Sequence, residues 1–186
     1  MLDEFKSPWN IISSEIKYDN PWIRVREHQV INPSGNEGIY GVVEFKNKAI
    51  AIIPIDEHGN TWIVGQYRFP MNTYEWEIPE GGSPQNELPE VTAARELLEE
   101  TGIEANTFIL VGEFQLSNST TNEIAYAYVA RDLKVGENNP DADEVLQVKK
   151  LPFSTLVDLV MEGKIRDCLS VATILKVDYM LKSSLL

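Results

Sequence analysis

Three glutamates, Glu96, Glu99 and Glu100, stand within one helical turn of the stretch GGSPQNELPEVTAARELLEETGI, residues 81–103. On a helix advancing about 100° per residue, Glu100 falls about 40° to one side of Glu96 and Glu99 about 60° to the other. All three therefore share a face, and like charges at this spacing repel one another. A solvated acidic face is the ordinary reading of a glutamate-rich helix. Such faces usually interleave lysine at i+4, however, and here the one cation between Pro89 and Thr101 is Arg95. A compact set of carboxylate oxygens is also what a hard divalent cation such as Mg²⁺ requires. Val91, Ala94 and Leu98 lie across the wheel and are expected to form the buried stripe of the helix.

The elements that must position these carboxylates can be read from pattern. The glutamate helix is predicted from about Pro89 to Thr101, closed by Gly102 at the C′ position. Upstream, AIAIIPID is a continuous apolar run suited to a buried strand, EHGN turns it, and TWIVGQYRF is expected to return as its hairpin partner. Residues 71–89 read as loop with a short strand at YEWEI. Strands are expected at 22–31 and 39–45, at 107–116 and 123–131, and at VLQVKKL after the acidic loop KVGENNPDADE. Two helices close the chain, at about 154–162 and 167–182, with Ser154 and Asp167 as N-caps. The sum is an α+β fold, a mostly β body with helices packed against it. Residues 1–46 form an antiparallel β extension too small to stand alone, and 47–186 form the main domain.

Composition narrows the function classes. The 186 residues suit one full core with a small extension. With 16 basic against 29 acidic residues, a general nucleic-acid or membrane-surface binder is not expected. An anionic small substrate remains compatible, because a divalent cation reverses the local sign of a carboxylate-rich pocket. The first ten residues, MLDEFKSPWN, carry no basic region or apolar run, so no secretory signal is expected, nor is a membrane span; a cytoplasmic home is the default. The single cysteine, Cys168, excludes an intrachain disulfide or a cysteine-based zinc site and is expected to be packed or half-buried. His58 in a turn and His28 in a strand have no nucleophile or ligand spacing beside them.

The residues flanking the glutamates carry a resemblance. Gly81 is followed after five residues by Glu87, and after seven more by Arg95-Glu96-Leu97-Leu98-Glu99-Glu100-Thr101-Gly102-Ile103. This resembles the Nudix box, G-x5-E-x7-R-E-U-x-E-E-x-G-U with U aliphatic, at every fixed position. Seven such matches arise by chance about once in a billion windows at residue frequencies near one in twenty. The resemblance implies a Nudix fold, with mixed β-sheets sandwiched by helices, and hydrolysis of a nucleoside diphosphate linked to another moiety. It further implies that Glu96, Glu99 and Glu100 ligate Mg²⁺ (or Mn²⁺), with Glu87 as an outlying ligand or support and the Glu80 backbone oxygen joining the shell. Glu99 and Arg95 would then be catalytic, Arg95 by orienting the glutamates, while Gly81 and Gly102 would allow tight turns before and after the helix. The metal would polarise the pyrophosphate and acidify the attacking water.

The segment before the box, WIVGQYRFPMNTYEWEIPEGG, looks like that of ADP-ribose pyrophosphatases and related nucleoside-diphosphate-sugar hydrolases. By that resemblance Arg68 contacts the substrate's phosphates or terminal ribose, although a strand-end arginine in an ion pair is the plain alternative, and Glu77 lies near the site. The N-terminal extension would build a homodimer and offer Trp22 and Tyr40 to the base, against the alternative that both are packing residues. The subgroup usually carries S-P-G and a glutamate beyond the box. Here Ser117-Asn118-Ser119-Thr120-Thr121-Asn122-Glu123 keeps Glu123 as a substrate contact but replaces Pro and Gly, which opens a broader choice of nucleoside-diphosphate sugar. The catalytic base is expected in the acidic loop NPDADE, Glu144 first, then Asp143, with Asp141 the third carboxylate. GDP-mannose, a dinucleoside polyphosphate, NADH or an oxidised nucleotide are the alternative substrates, and a silent nucleotide-binding regulator is the alternative class.

Overall fold

A computed structural model describes residues 6–136 and 146–186. The chain separates into two compact units, one of residues 1–47 with 117–123 and the other of 48–116 with 124–186.

The first unit is a three-stranded antiparallel sheet of β1 (Asn10–Asp19), β2 (Ile23–Ile31) and β3 (Glu37–Phe45), in that order. Residues 117–123 are laid along β3. The Val43 amide donates to the Thr120 carbonyl at 2.9 Å, Asn122 N donates to the Val43 carbonyl at 3.3 Å, and the Phe45 amide donates to Asn122 Oδ1 at 2.6 Å. A single sheet of this size buries little. Val30 is its one fully buried apolar residue, and Ile11, Ile12 and Ile16 of β1 are exposed.

The second unit holds two sheets. One runs β10 (Gln147–Pro152), β5 (Asn60–Arg68), β6 (Thr73–Glu77), and the other β7 (Glu80–Ser83), β4 (Lys48–Pro54), β9 (Ile124–Val135), β8 (Ile103–Gln115). β4 pairs with β9 in parallel and with β7 antiparallel. β4 and β5 do not form the expected hairpin. The turn forms, with Gly59 at φ +75° and the Asp56 carboxylate accepting from the amides of His58 (3.0 Å) and Asn60 (2.7 Å), but only the bridge Ile55–Thr61 follows it. Both edges of β4 are already taken by β7 and β9, so β5 leaves to pair with β6 and β10.

The unbroken apolar run of β4 reflects burial on both faces. Ile50 and Ile52 point into a core with Ala93 and Leu97 of α1 (Pro89–Thr101). Ala51 and Ile53 point into a second core with Leu156 and Val160 of α2 (Phe153–Met161) and Leu169, Ile174 and Val177 of α3 (Cys168–Lys182). Asp167 caps α3 by accepting from the Ser170 amide at 2.7 Å. Ser154 does not cap α2. That helix begins at Phe153, whose amide donates at 2.9 Å to the Gly59 carbonyl, so the turn after β4 supplies the acceptor. No helix among the described residues is long and apolar enough to cross a membrane.

Candidate active site

Helix α1 starts at Pro89, where a missing amide costs nothing, and stops at Gly102, whose φ of +72° lets its amide return to the Leu98 carbonyl at 2.8 Å. Its buried side is not the expected one. Val91 and Leu98 are 53% and 43% exposed and Ala94 is also exposed, while Thr92, Ala93, Leu97, Glu100 and Thr101 are buried. The glutamate side is turned inward, because its carboxylates find an amide partner on β7 and a guanidinium partner within the helix. Glu100, 2% exposed, accepts from the Glu80 amide at 3.1 Å.

Arg95 holds the remaining carboxylates together. Its Nη1 lies 2.7 Å from Glu99 Oε2 and 3.0 Å from Glu96 Oε1, and its Nη2 lies 3.4 Å from Glu87 Oε2 and donates to the Gly82 carbonyl. One cation thus offsets the repulsion among three anions. Glu87 is steadied further by the Thr92 hydroxyl, which donates to it at 2.6 Å and also contacts the Ser83 hydroxyl at 2.9 Å. That hydrogen bond, with Arg95, holds the Glu87 carboxyl below the usual carboxylate range. Sequence reasoning missed Thr92 and Ser83; their signal is only that two small hydroxyl residues lie opposite one another across the loop.

The role of Gly81 also differs from the expected tight turn. It lies in β7 with ordinary strand backbone, and a Cβ placed on it would fall 2.0 Å from the Glu96 carboxyl carbon. The glycine is there for close approach, leaving a cradle in which the Glu96 carboxylate sits against main chain. The donor chemistry fits a hard divalent cation: carboxylate oxygens from three residues of one turn, beside the backbone of residues 80–82, with no sulfur or imidazole. Among the described residues no three such side chains already converge on a common point, and the Arg95 guanidinium stands between Glu96 and Glu99.

Beside this cluster, β6 places Glu75 and Glu77 two residues apart and so on one face. Glu77, almost fully buried, accepts side-on from Arg68 at the end of β5, with Nε at 3.0 and 3.1 Å and Nη2 closer still. Arg68 is therefore engaged in the ion pair that was its plain alternative. Glu75 accepts from the Thr73 hydroxyl and from Arg166 in the same side-on manner, with Nε at 3.2 Å. These bonds, Thr73 first and Arg166 second, keep Glu75 below the usual carboxylate range. The two pairs line a cavity of about 400 Å³ together with Asp167 and Cys168. Cys168 is thus exposed on a cavity wall, contrary to the expected packing, because it occupies the solvent-facing first position of α3.

Behind β7, the Ser170 hydroxyl, fully buried, accepts from the Ile78 amide at 3.2 Å and donates to Glu80 Oε1 at 2.8 Å. Desolvation of the Glu80 carboxyl, reinforced by the neighbouring Asp167 charge, pushes it well above the usual carboxylate range. Neither the Ser170 contact nor the Arg166 pair was visible in sequence, since each joins residues about ninety positions apart.

Trp22, Tyr40 and Glu123 belong to the first unit. Trp22 is 68% exposed, whereas Tyr40 is half-buried, meets the ring of Trp9 edge-on at 5.2 Å and donates to the Ser119 carbonyl at 2.6 Å. Glu123 is half-buried at the end of the 117–123 segment. Asp141, Asp143 and Glu144 lie outside the described residues.

The NUDIX domain model matches residues 45–169, and a model described as the nucleoside diphosphate sugar hydrolase N-terminal domain matches residues 9–43. The chain is 31% identical to an ADP-ribose pyrophosphatase of Mycobacterium tuberculosis, over 89% of this chain and 81% of that one. It is 30% identical to a methanol dehydrogenase activator of Bacillus methanolicus, covering 91% and 90%, and 28% identical to a GDP-mannose pyrophosphatase of Yersinia enterocolitica, covering 84% and 87%. A crystal structure of an ADP compounds hydrolase superposes with a TM-score of 0.86 over 98% of both chains at 21% identity, a likeness of fold.

Proposed function

The chain belongs to the Nudix family, and on that footing we propose that it is a Mg²⁺-dependent pyrophosphohydrolase of ADP-ribose or a related nucleoside-diphosphate sugar. The products are a nucleoside monophosphate and a sugar phosphate. The observation that carries this reading is the carboxylate cluster on one helical face, with Glu96 and Glu99 held by Arg95, Glu96 seated against the side-chain-free Gly81, and Glu100 bound to the Glu80 amide. The relatives named ADP-ribose and GDP-mannose pyrophosphatase support the substrate class.

Glu96, Glu99, Glu100 and the Glu80 backbone oxygen would hold the cation, with Glu87 in support. When bound, the cation supplies charge neutralisation and Lewis-acid polarisation of the pyrophosphate. The rest falls to the chain. Arg95 keeps the carboxylates oriented, and the buried Glu100 fixes the β7 backbone through the Glu80 amide. Arg68, with Glu77 behind it, is positioned to donate to the substrate, and its Nη1 lies outside the Glu77 bonds. For the proton of the attacking water we assign Glu144, then Asp143 and Asp141, on the acidic sequence that precedes β10. The exposed isoleucines of β1 support a homodimer in which a second copy covers them. Trp22, Tyr40 and Glu123 are assigned to substrate binding on the resemblance alone, and the cytoplasm is the proposed location.

The test is Glu100→Gln, which keeps shape and removes charge. Phosphate release coupled to a phosphatase, on ADP-ribose, GDP-mannose, UDP-glucose, NADH and diadenosine polyphosphates with Mg²⁺, should fall by roughly a hundredfold or more for the preferred substrate. Full turnover in a folded Glu100→Gln protein would sink the assignment. Asn118 and Ser119, in place of the subgroup's Pro and Gly, favour a second reading with a broader or shifted choice of nucleoside-diphosphate sugar, GDP-mannose among them, which the same panel separates.

A further inference from the structure

The cavity beside the carboxylate cluster holds, next to Arg68 and Glu77, a second pair, Arg166 and Glu75, that the hydrolytic reading leaves without a role. Its polar lining consists of two arginines, Arg68 and Arg166, and three carboxylates, Glu75, Glu77 and Asp167, with the Thr73 hydroxyl. Pro70 and Met71 add an apolar wall. Its volume of about 400 Å³ falls in the range of small-molecule sites. Four of the five charged groups are arranged as two matching forks. Each guanidinium meets its glutamate side-on through Nε and Nη2, which leaves Nη1 outside the pair. Because Glu75 and Glu77 are alternate residues of one strand, the forks stand side by side, about 7 Å apart along β6.

We propose that this cavity seats the sugar of the substrate as a neutral, hydroxyl-bearing ring, and that the Arg166–Glu75 pair is its specificity-determining element. The inference rests on the nucleoside-diphosphate-sugar reading above and deepens it. The sign of the charge decides between a polyol and an anion. With both guanidiniums neutralised by their glutamates and Asp167 in addition, the lining is formally negative by one charge, so a phosphate group would enter against net negative charge. A neutral hydroxyl meets no such repulsion, and it donates to a carboxylate lone pair while accepting from the Nη1 that lies outside the pair. Paired carboxylates and guanidiniums thus present both halves of what neighbouring ring hydroxyls need, while Pro70 and Met71 can cover a ring face. Arg68 sits at the inner side, where the Glu80 and Asp167 charges act on it, whereas Arg166 is largely exposed at the rim. The rim pair is the one whose exchange would alter which sugar fits without disturbing the carboxylate cluster.

The test measures binding and turnover separately. Calorimetry with Mg²⁺ present follows ribose 5-phosphate, AMP and inorganic phosphate on the wild type, Arg166→Ala, Arg166→Lys and Glu75→Gln. Arg166→Ala and Glu75→Gln should each weaken ribose 5-phosphate by about tenfold, the loss of a charged hydrogen bond, and leave AMP unchanged. Arg166→Lys should fall between, since lysine lacks the fork. Turnover on the sugar-nucleotide panel should change its ranking among sugars in Arg166→Ala, while diadenosine polyphosphate, where it is cleaved, keeps its rate. Equal weakening of AMP and ribose 5-phosphate, an unchanged affinity, or Arg166-dependent binding of inorganic phosphate alone would overturn the proposal. Failure of the wild type to cleave any of the panel defeats the hydrolase reading, and the ribose 5-phosphate titration still decides the cavity.

Discussion

Gly81→Ala separates a structural role for this residue from a chemical one. A Cβ at this position falls 2.0 Å from the Glu96 carboxyl carbon, and ordinary contact begins near 3.4 Å, so the carboxyl must move by about 1.4 Å. The obstacle is the far end of a flexible side chain rather than main chain, so the fold can yield. The stability cost should stay within about 1 kcal/mol, chiefly the loosened contact of Arg95 Nη1 with Glu96 at 3.0 Å. Catalysis has no such tolerance, because a displacement of about 1 Å at a reacting centre can cost on the order of a hundredfold. We therefore expect kcat/KM on the preferred sugar nucleotide to fall about a hundredfold, with Tm shifted by only a few degrees. The Mg²⁺ concentration for half-maximal activity should rise. Coupled phosphate release and a thermal melt by circular dichroism measure the two quantities. Wild-type turnover in Gly81→Ala, or a loss of activity that merely follows loss of fold, would refute the argument.

Asp56→Asn should destabilise by about 2 kcal/mol near neutral pH. Burial works to raise the Asp56 carboxyl, but Lys150 at 2.8 Å and the hydrogen bonds from Asn60 and His58 prevail and hold it below the ordinary range. A depressed carboxylate contributes stability that is present above its unfolded pKa, near 4, and is lost as pH falls through the folded value. The gap between wild type and variant in urea titrations should therefore narrow steadily below about pH 4, and a gap that widens there would contradict the ion pair. Ser170→Ala removes a buried hydroxyl shared by Ile78 and Glu80 and should cost about 1–3 kcal/mol. Faster hydrogen exchange at the Ile78 amide, with the centre of α3 unaffected, would identify the loss as local.

The parts of the fold marked by local chemistry were legible. Pro89 and Gly102 bracket α1 because both ends of a helix impose steric and hydrogen-bonding demands that few residues meet, and Asp167 marks α3 for the same reason. The spacing of Glu96, Glu99 and Glu100 was equally local. The pairing of β4 was not, since its neighbours come from residues 80–83 and 124–135, and the following turn gives no sign that the strands separate after Thr61. The inward side of α1 is hidden from sequence for a different reason. Polarity marks the solvent side only where polar groups are satisfied by water, and Glu100 is satisfied by a backbone amide. Glu75 and Arg166 carry no local signal of their pairing, since only folding brings them together across 91 positions.

The two-faced burial of β4 has a consequence for how variation along this strand should behave. Ile50 and Ile52 support the helix that carries the carboxylates, and Ala51 and Ile53 support the helix whose start lines the cavity. Neighbouring positions in the gene therefore answer to different parts of the enzyme. A scan of conservative substitutions through residues 50–53 would alternate with a period of two, even positions registering in catalytic rate and odd positions in the choice of sugar.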